Sequence, residues 1–112
     1  MSKLYINFKM ALHAGEETAF KDYVRQLEEL VREKCPNTIG YEWFLNEDET
    51  QCVALETFTD SEALLFHADT VMELAMKLFA TCDILEVNLL GDPSPEVIER
   101  TNTYGAQVHR LI

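Results

Sequence analysis

Three side chains in the stretch from residue 40 to residue 67 could carry chemistry: Glu42, Glu56 and His67. A histidine titrates near neutrality and can take a proton from a phenol. Glu56 follows Ala54 and Leu55 in an apolar segment, where an ordinary surface charge has no place. It could orient His67 or hold a substrate hydroxyl, and Glu42 offers a weaker version of the same choice. The plain alternatives are a helical histidine satisfied by a backbone carbonyl or by Glu56, and a buried, hydrogen-bonded structural carboxylate. The three could in principle hold a metal ion, but their spacing matches no standard ligand signature.

The elements that would position them follow from periodicity. Residues 4–12 alternate, with Leu4, Ile6, Phe8, Met10 and Leu12 on one parity, which predicts a strand. Residues 16–34 place Phe20, Tyr23, Val24, Leu27, Leu30 and Val31 on one helical stripe. Acidic residues open that helix, basic ones close it, and Pro36 stops it. Residues 38–46 and 51–58 are two strands across a short acidic loop, hence an antiparallel hairpin. Thr59 and Glu62 stand at capping-box spacing and open a helix over 59–68; Thr70 and Glu73 repeat it, predicting a second helical piece. Residues 83–90 form a fourth strand. Ser94 caps a short helix with Pro95 at its first position, and residues 106–112 are a candidate fifth strand. Strand, helix, strand, strand, helix, strand is the split βαβ order of a ferredoxin-like α+β domain with an antiparallel sheet. The chain is expected to form one domain over residues 1–112, with a C-terminal extension from about residue 91.

Parity then sorts the sheet faces. Ile39, Tyr41, Trp43 and Leu45, then Val53, Leu55 and Thr57, then Leu85, Val87 and Leu89 are expected beneath the helices. The opposite face would carry Asn7 and Lys9, Glu42 and Phe44, Cys52, Ala54, Glu56 and Phe58, and Ile84, Glu86, Asn88 and Leu90. That mixture is too apolar for a solvent face and too acidic for a core. A two-fold dimer closing a cavity over it would reconcile the two. Glu42 and Glu56 share a face only if the hairpin loop has an odd number of residues; an even loop sets Tyr41 and Trp43 beside Glu56 instead. Phe44 and Phe58 could stack on an aromatic ligand, with core or dimer packing as the plain alternative. Asn7 could steady an oxyanion or simply line a cavity.

The formal charge of −11 opposes nucleic acid and anionic membranes as partners. No apolar run reaches the ~20 residues of a membrane span, and MSKLYINFKM lacks a signal core, so a soluble cytoplasmic protein is expected. Cys35, Cys52 and Cys82, an odd count without C-x-x-C spacing, argue against a disulfide framework or zinc.

Several motifs together carry a resemblance. Gly40-Tyr41-Glu42, Val53-Ala54-Leu55-Glu56-Thr57-Phe58, and Asp60-Ser61-Glu62-Ala63-Leu64 ending at His67 resemble the antibiotic biosynthesis monooxygenase superfamily. The turn His13-Ala14-Gly15-Glu16-Glu17 resembles that family's strand-to-helix junction, and Gly91-Asp92-Pro93-Ser94-Pro95 the tail of its quinol-monooxygenase-like members. The resemblance implies a dimeric α+β barrel with a pocket between sheet and helices. Enzymes of the family oxidise aromatic polyketides or quinols with molecular oxygen, often without metal, haem or flavin, and no cofactor is expected here. Phe58 stands where the family usually has Trp. The haem-degrading branch uses an Asn, a Trp and a His; with Asn7 out of register and Phe58 in place of the Trp, haem is disfavoured.

The expected function is a cofactor-independent monooxygenase acting on a small hydroxylated aromatic or quinol, as a homodimer. His67 would be the base, Glu56 its orienting partner, and Asn7, Glu42, Phe44 and Phe58 substrate contacts. The alternatives are a non-catalytic dimeric module binding a small apolar ligand, and an isomerase or lyase on a related barrel.

Overall fold

A computed structural model describes residues 3–112. Its elements are β1 (Leu4–Leu12), α1 (Glu17–Lys34), β2 (Thr38–Leu45), β3 (Gln51–Phe58), α2 (Ser61–Phe79), β4 (Cys82–Leu90), α3 (Pro95–Asn102) and β5 (Gln107–His109). The sheet runs β2-β3-β1-β4-β5. All pairings are antiparallel except β4 with β5. This is the ferredoxin-like α+β arrangement, with α1 and α2 packed together against one face of the sheet.

The core forms where the apolar parity of β1 meets the helices. Leu4, Ile6, Phe8 and Met10 are buried, under Phe20, Leu27 and Val31 of α1 and Leu64, Val71 and Leu78 of α2. The helix expected in two pieces is one helix, Ser61–Phe79. Its N-cap is Asp60, whose carboxylate accepts from Ala63 N at 2.8 Å; Thr59 lies outside. Thr70 bonds its hydroxyl back to Phe66 O at 2.7 Å, so it is accommodated within the helix and starts no new one.

The hairpin decides the sheet faces, and it overturns the expected parity of β3. Asn46 N donates to Gln51 O at 3.0 Å, leaving four loop residues, 47–50. Asn46 Oδ1 accepts from Thr50 N and Gln51 N, and Asp48 Oδ1 from Thr50 Oγ1, so side chains fix the turn. Glu49 takes the left-handed conformation at φ 58°. The even loop pairs Tyr41 with Glu56 and Trp43 with Ala54. Cys52, Ala54, Glu56 and Phe58 therefore point under the helices and are buried, while Leu55 turns outward. The physical reason is continuity with β1: Ile6 faces Glu56 and Phe8 faces Ala54 across the ladder, so both strands present one face. Leu85 also departs from expectation. A bulge between Lys9 and Met10 in the β1–β4 register leaves it unpaired and half exposed, whereas Val87 and Leu89 are buried as expected.

The C-terminal segment folds back over the helices. Ser94 caps α3 by accepting from Val97 N at 3.3 Å, with Pro95 at the first helical position. Ser94 N in turn donates to Ser61 Oγ at 2.9 Å, and Arg100 pairs with Asp69 at 2.8 Å, tying α3 to α2. Gly91 makes the turn out of β4 at φ 123°; a Cβ there would stand 2.8 Å from the carbonyl of Lys3. Of the residues 106–112, only Gln107–His109 form a strand. The thiols of Cys35, Cys52 and Cys82 are free and buried. Among the described residues no helix is long and apolar enough to cross a membrane.

Candidate active site

His67 is placed by helical spacing. Leu64, His67, Val71 and Leu78 share the stripe of α2 that faces the sheet, so the imidazole is carried inward with the core residues. Glu56 is placed by strand alternation between Ala54 and Phe58. The two converge in an enclosed space: His67 Nε2 stands 3.5 Å from Glu56 Oε1, with the side chains only 6% and 9% exposed. On the other side of the ring, Thr38 Oγ1 lies 2.9 Å from Nδ1. The Phe58 and Tyr41 rings meet the imidazole edge-on, at 5.0 and 5.3 Å between centroids. Trp43 packs edge-on against Tyr41 at 5.6 Å. Its Nε1 is buried with no hydrogen-bond partner among the described residues.

Glu56, His67, Phe58, Tyr41 and Trp43 form the polar end of a cavity of about 370 Å³ between the sheet and α2. That volume suits a small organic molecule. Its sheet and α2 walls beyond them are mostly apolar, with Ile6, Phe8 and Met10 on the sheet side and Leu64 and Val71 on the helix side. The Phe79 and Tyr104 rings meet at 5.6 Å, tilted by 52°, and Tyr104 meets Phe8 edge-on at 6.2 Å, lining the cavity near α3.

Dryness sets the electrostatics. Burial pushes the Glu56 carboxyl up to about 8. Burial also pushes His67 down to about 4. Each shift disfavours the charged form, because burial removes each group from bulk solvent and its neighbour does not offset that cost. At neutral pH the contact is a neutral carboxylic acid beside a neutral imidazole, not an ion pair. Tyr41 is raised well above the usual phenol range, by burial first and then by the Glu56 charge.

The arrangement reverses the proton affinities expected from the sequence. Glu56 holds a proton more tightly than His67, so it is the stronger base of the two once ionised. A group poised near neutrality can both take and return a proton.

The other site residues expected from the sequence divide. Phe58 lines the cavity with Glu56 and His67. Asn7, Glu42 and Phe44 do not, because they have the opposite parity and lie on the outer face of the sheet. Asn7 borders an open polar hollow there with Glu86, Asn88 and His109, and Phe44 is half exposed. Tyr41 and Trp43 enter the cavity in their place, as an even loop requires. Arg100, Thr103 and Tyr104 also line it and were not anticipated. The signal available for them was the amphipathic pattern of residues 95–102, which shows that α3 packs but not onto what.

Residues 4–76 match the model of the antibiotic biosynthesis monooxygenase family. The chain belongs to that family. The matched residues bring Glu56, His67, Tyr41, Trp43 and Phe58 to the site, whereas the antibiotic biosynthesis monooxygenase match ends before α3. Among solved structures, the chain is similar to MupZ from Pseudomonas fluorescens, at 20% identity and a TM-score of 0.87, over 98% of this chain and 90% of that one. It is also similar to SnoaB, a cofactor-independent oxygenase from Streptomyces nogalater, at 14% identity and TM-score 0.70, over 84% and 96%. A third is Rv0793 from Mycobacterium tuberculosis, at 11% identity and TM-score 0.69, over 82% and 96%. At these identities the likeness is one of fold. No curated protein matches the sequence.

Proposed function

We propose that the protein is a cofactor-independent monooxygenase that oxidises a small hydroxylated aromatic or quinol with molecular oxygen. Family membership and the likeness to a cofactor-independent oxygenase support the reaction class. The observation that carries it to this chain is the Glu56–His67 pair at the closed end of an apolar cavity. An electron-rich quinol can pass an electron to oxygen once it is deprotonated, so the protein need supply a base and exclude water.

Glu56, as carboxylate, takes the proton of the substrate hydroxyl, and neutral His67 holds the resulting oxyanion or the carboxyl by hydrogen bonding. The quinolate gives one electron to oxygen. The radical pair joins at a ring carbon, and the proton returned by Glu56 completes a hydroperoxide there. Cleavage of the O–O bond, with loss of the hydrogen on that ring carbon as a proton, leaves one oxygen on the ring as a carbonyl. The other departs as hydroxide, which that proton converts to water. Quinol plus oxygen thus becomes hydroxyquinone plus water, with four electrons lost by the ring and four gained by oxygen. Phe58 and Tyr41 bracket the imidazole and confine the substrate ring.

The protein works as a homodimer in this account, joined through the outer sheet face. Tyr5, Phe44, Leu55 and Leu85, each 40–51% exposed, give that face an apolar surface.

The test is incubation with a menadiol-type quinol under ¹⁸O-labelled oxygen. One labelled atom should enter the quinone and the other appear in water, and Glu56→Gln should slow this about 10²-fold. Peroxide release with no label in the product, at a rate unchanged in Glu56→Gln and His67→Ala, would sink the proposal.

The neutral Glu56 carboxyl favours one second reading, an isomerase or lyase in which it acts as the general acid. Solvent deuterium entering a substrate carbon without oxygen would select that reading. Ligand binding with neither oxygen uptake nor exchange would mark a non-catalytic module.

A further inference from the structure

The cavity has a direction. Glu56, His67 and Phe58 at one end are buried, whereas Met72 and Met76 of α2, 42% and 53% exposed, and the exposed Thr103 mark the opening. At that opening lies Arg100, the only Lys or Arg among the residues lining the cavity. Its side chain is 31% exposed, so the cation sits at the boundary of the apolar space. Among the described residues its side chain makes one hydrogen bond, from Nη2 to Asp69 Oδ1 at 2.8 Å. A guanidinium carries five N–H donors in a planar fork. Most of the fork is thus left for another acceptor. In a chain of formal charge −11, a cation at the mouth of an apolar cavity is a selective feature.

We propose that Arg100 determines substrate specificity by binding a carboxylate at the cavity mouth. The substrate class is an amphipathic hydroxy acid: a hydroxyl at the Glu56–His67 end, an apolar body along the cavity, and an anionic carboxylate at Arg100. A carboxylate matches the guanidinium fork in plane and charge, and such charge-assisted bonds are stronger than neutral ones. Asp69 acts as a placeholder that fixes the Arg100 side chain and competes with the incoming acid. This inference rests on the reading that the cavity holds a substrate, but it does not depend on the reaction performed there.

The test is anaerobic calorimetric binding of 6-hydroxy-2-naphthoate and its methyl ester to the full chain. The acid should bind at least about tenfold tighter than the ester, as one charge-assisted hydrogen bond implies. Arg100→Gln should erase that preference while leaving ester affinity unchanged, and Arg100→Lys should keep part of it. Asp69→Asn should strengthen acid binding, because the competitor is gone. Equal affinities for acid and ester, or binding of neither, overturns the proposal. So does Asp69→Asn weakening acid binding as Arg100→Gln does, for that outcome makes the pair only a latch between α2 and α3. Because no oxygen is present, failure of the oxygenase reading shows separately, as retained acid preference without turnover in the aerobic assay.

Discussion

His67 Nε2 lies 3.5 Å from Glu56 Oε1, while its other ring nitrogen lies 2.9 Å from Thr38 Oγ1. The imidazole is thus held between a hydroxyl that can donate or accept and a carboxyl that burial keeps protonated. The two strands of one hairpin, β2 and β3, fix its two nitrogens, and α2 supplies the ring.

That relationship has a consequence for stability. Glu56 is raised from its ordinary 4.5 to about 8, so the folded state binds the proton more tightly than the unfolded chain. Its contribution is fully present below about 4.5 and is lost as pH rises through about 8. His67, lowered from 6.5 to about 4, contributes above 6.5 and loses that contribution as pH falls through about 4. Between 6.5 and 8 only Glu56 changes, and the expected loss is roughly 1–2 kcal/mol. Urea denaturation of the wild type should show this decline across that window. Glu56→Gln should flatten it.

Thr38→Val keeps the shape of the side chain and removes its hydroxyl. One nitrogen of a buried imidazole then loses its partner, which costs about 1–3 kcal/mol. The same denaturation measurement checks this, and Thr38→Ser should restore most of the loss. No change in Thr38→Val would mean that the 2.9 Å contact does not hold the ring.

The outer sheet face should join two copies of the chain. Phe44 and Leu55 are 50% and 40% exposed on adjacent strands. Phe44→Asp with Leu55→Asp would set four carboxylates across a two-fold interface. Light scattering should report a dimer for the wild type and a monomer for the double variant, with the fold kept by circular dichroism. A wild type that is monomeric at all concentrations would refute the interface.

The fold was legible because strong periodic signals coincide with capping and turn chemistry. The alternation in residues 4–12 and the stripe from Phe20 to Val31 are each unambiguous. The site was less so, because its composition depends on a loop count. Residues 38–58 alternate in both strands, and a shift of one residue exchanges every side chain between faces. Glu56 was misplaced because a carboxylate under helices contradicts the usual cost of burial. The structure meets that cost by leaving it protonated, as its rise to about 8 implies. Tyr41 and Trp43 follow the same rule and were open as the even-loop alternative. Arg100 was out of reach for another reason: no local pattern tells a helix of eight residues which cavity it will border.

In the proposed reaction Glu56, paired with His67 at the buried end of the cavity, moves the substrate proton. The most direct measurement is the initial rate of oxygen uptake with a menadiol-type quinol, from about pH 6 to about pH 9.5, after subtraction of the uncatalysed rate. The predicted profile rises through an inflection near 8, the value to which burial lifts Glu56, and both the inflection and about 10²-fold of the rate vanish in Glu56→Gln. A profile without that inflection, or an undiminished rate in Glu56→Gln, would contradict the claim.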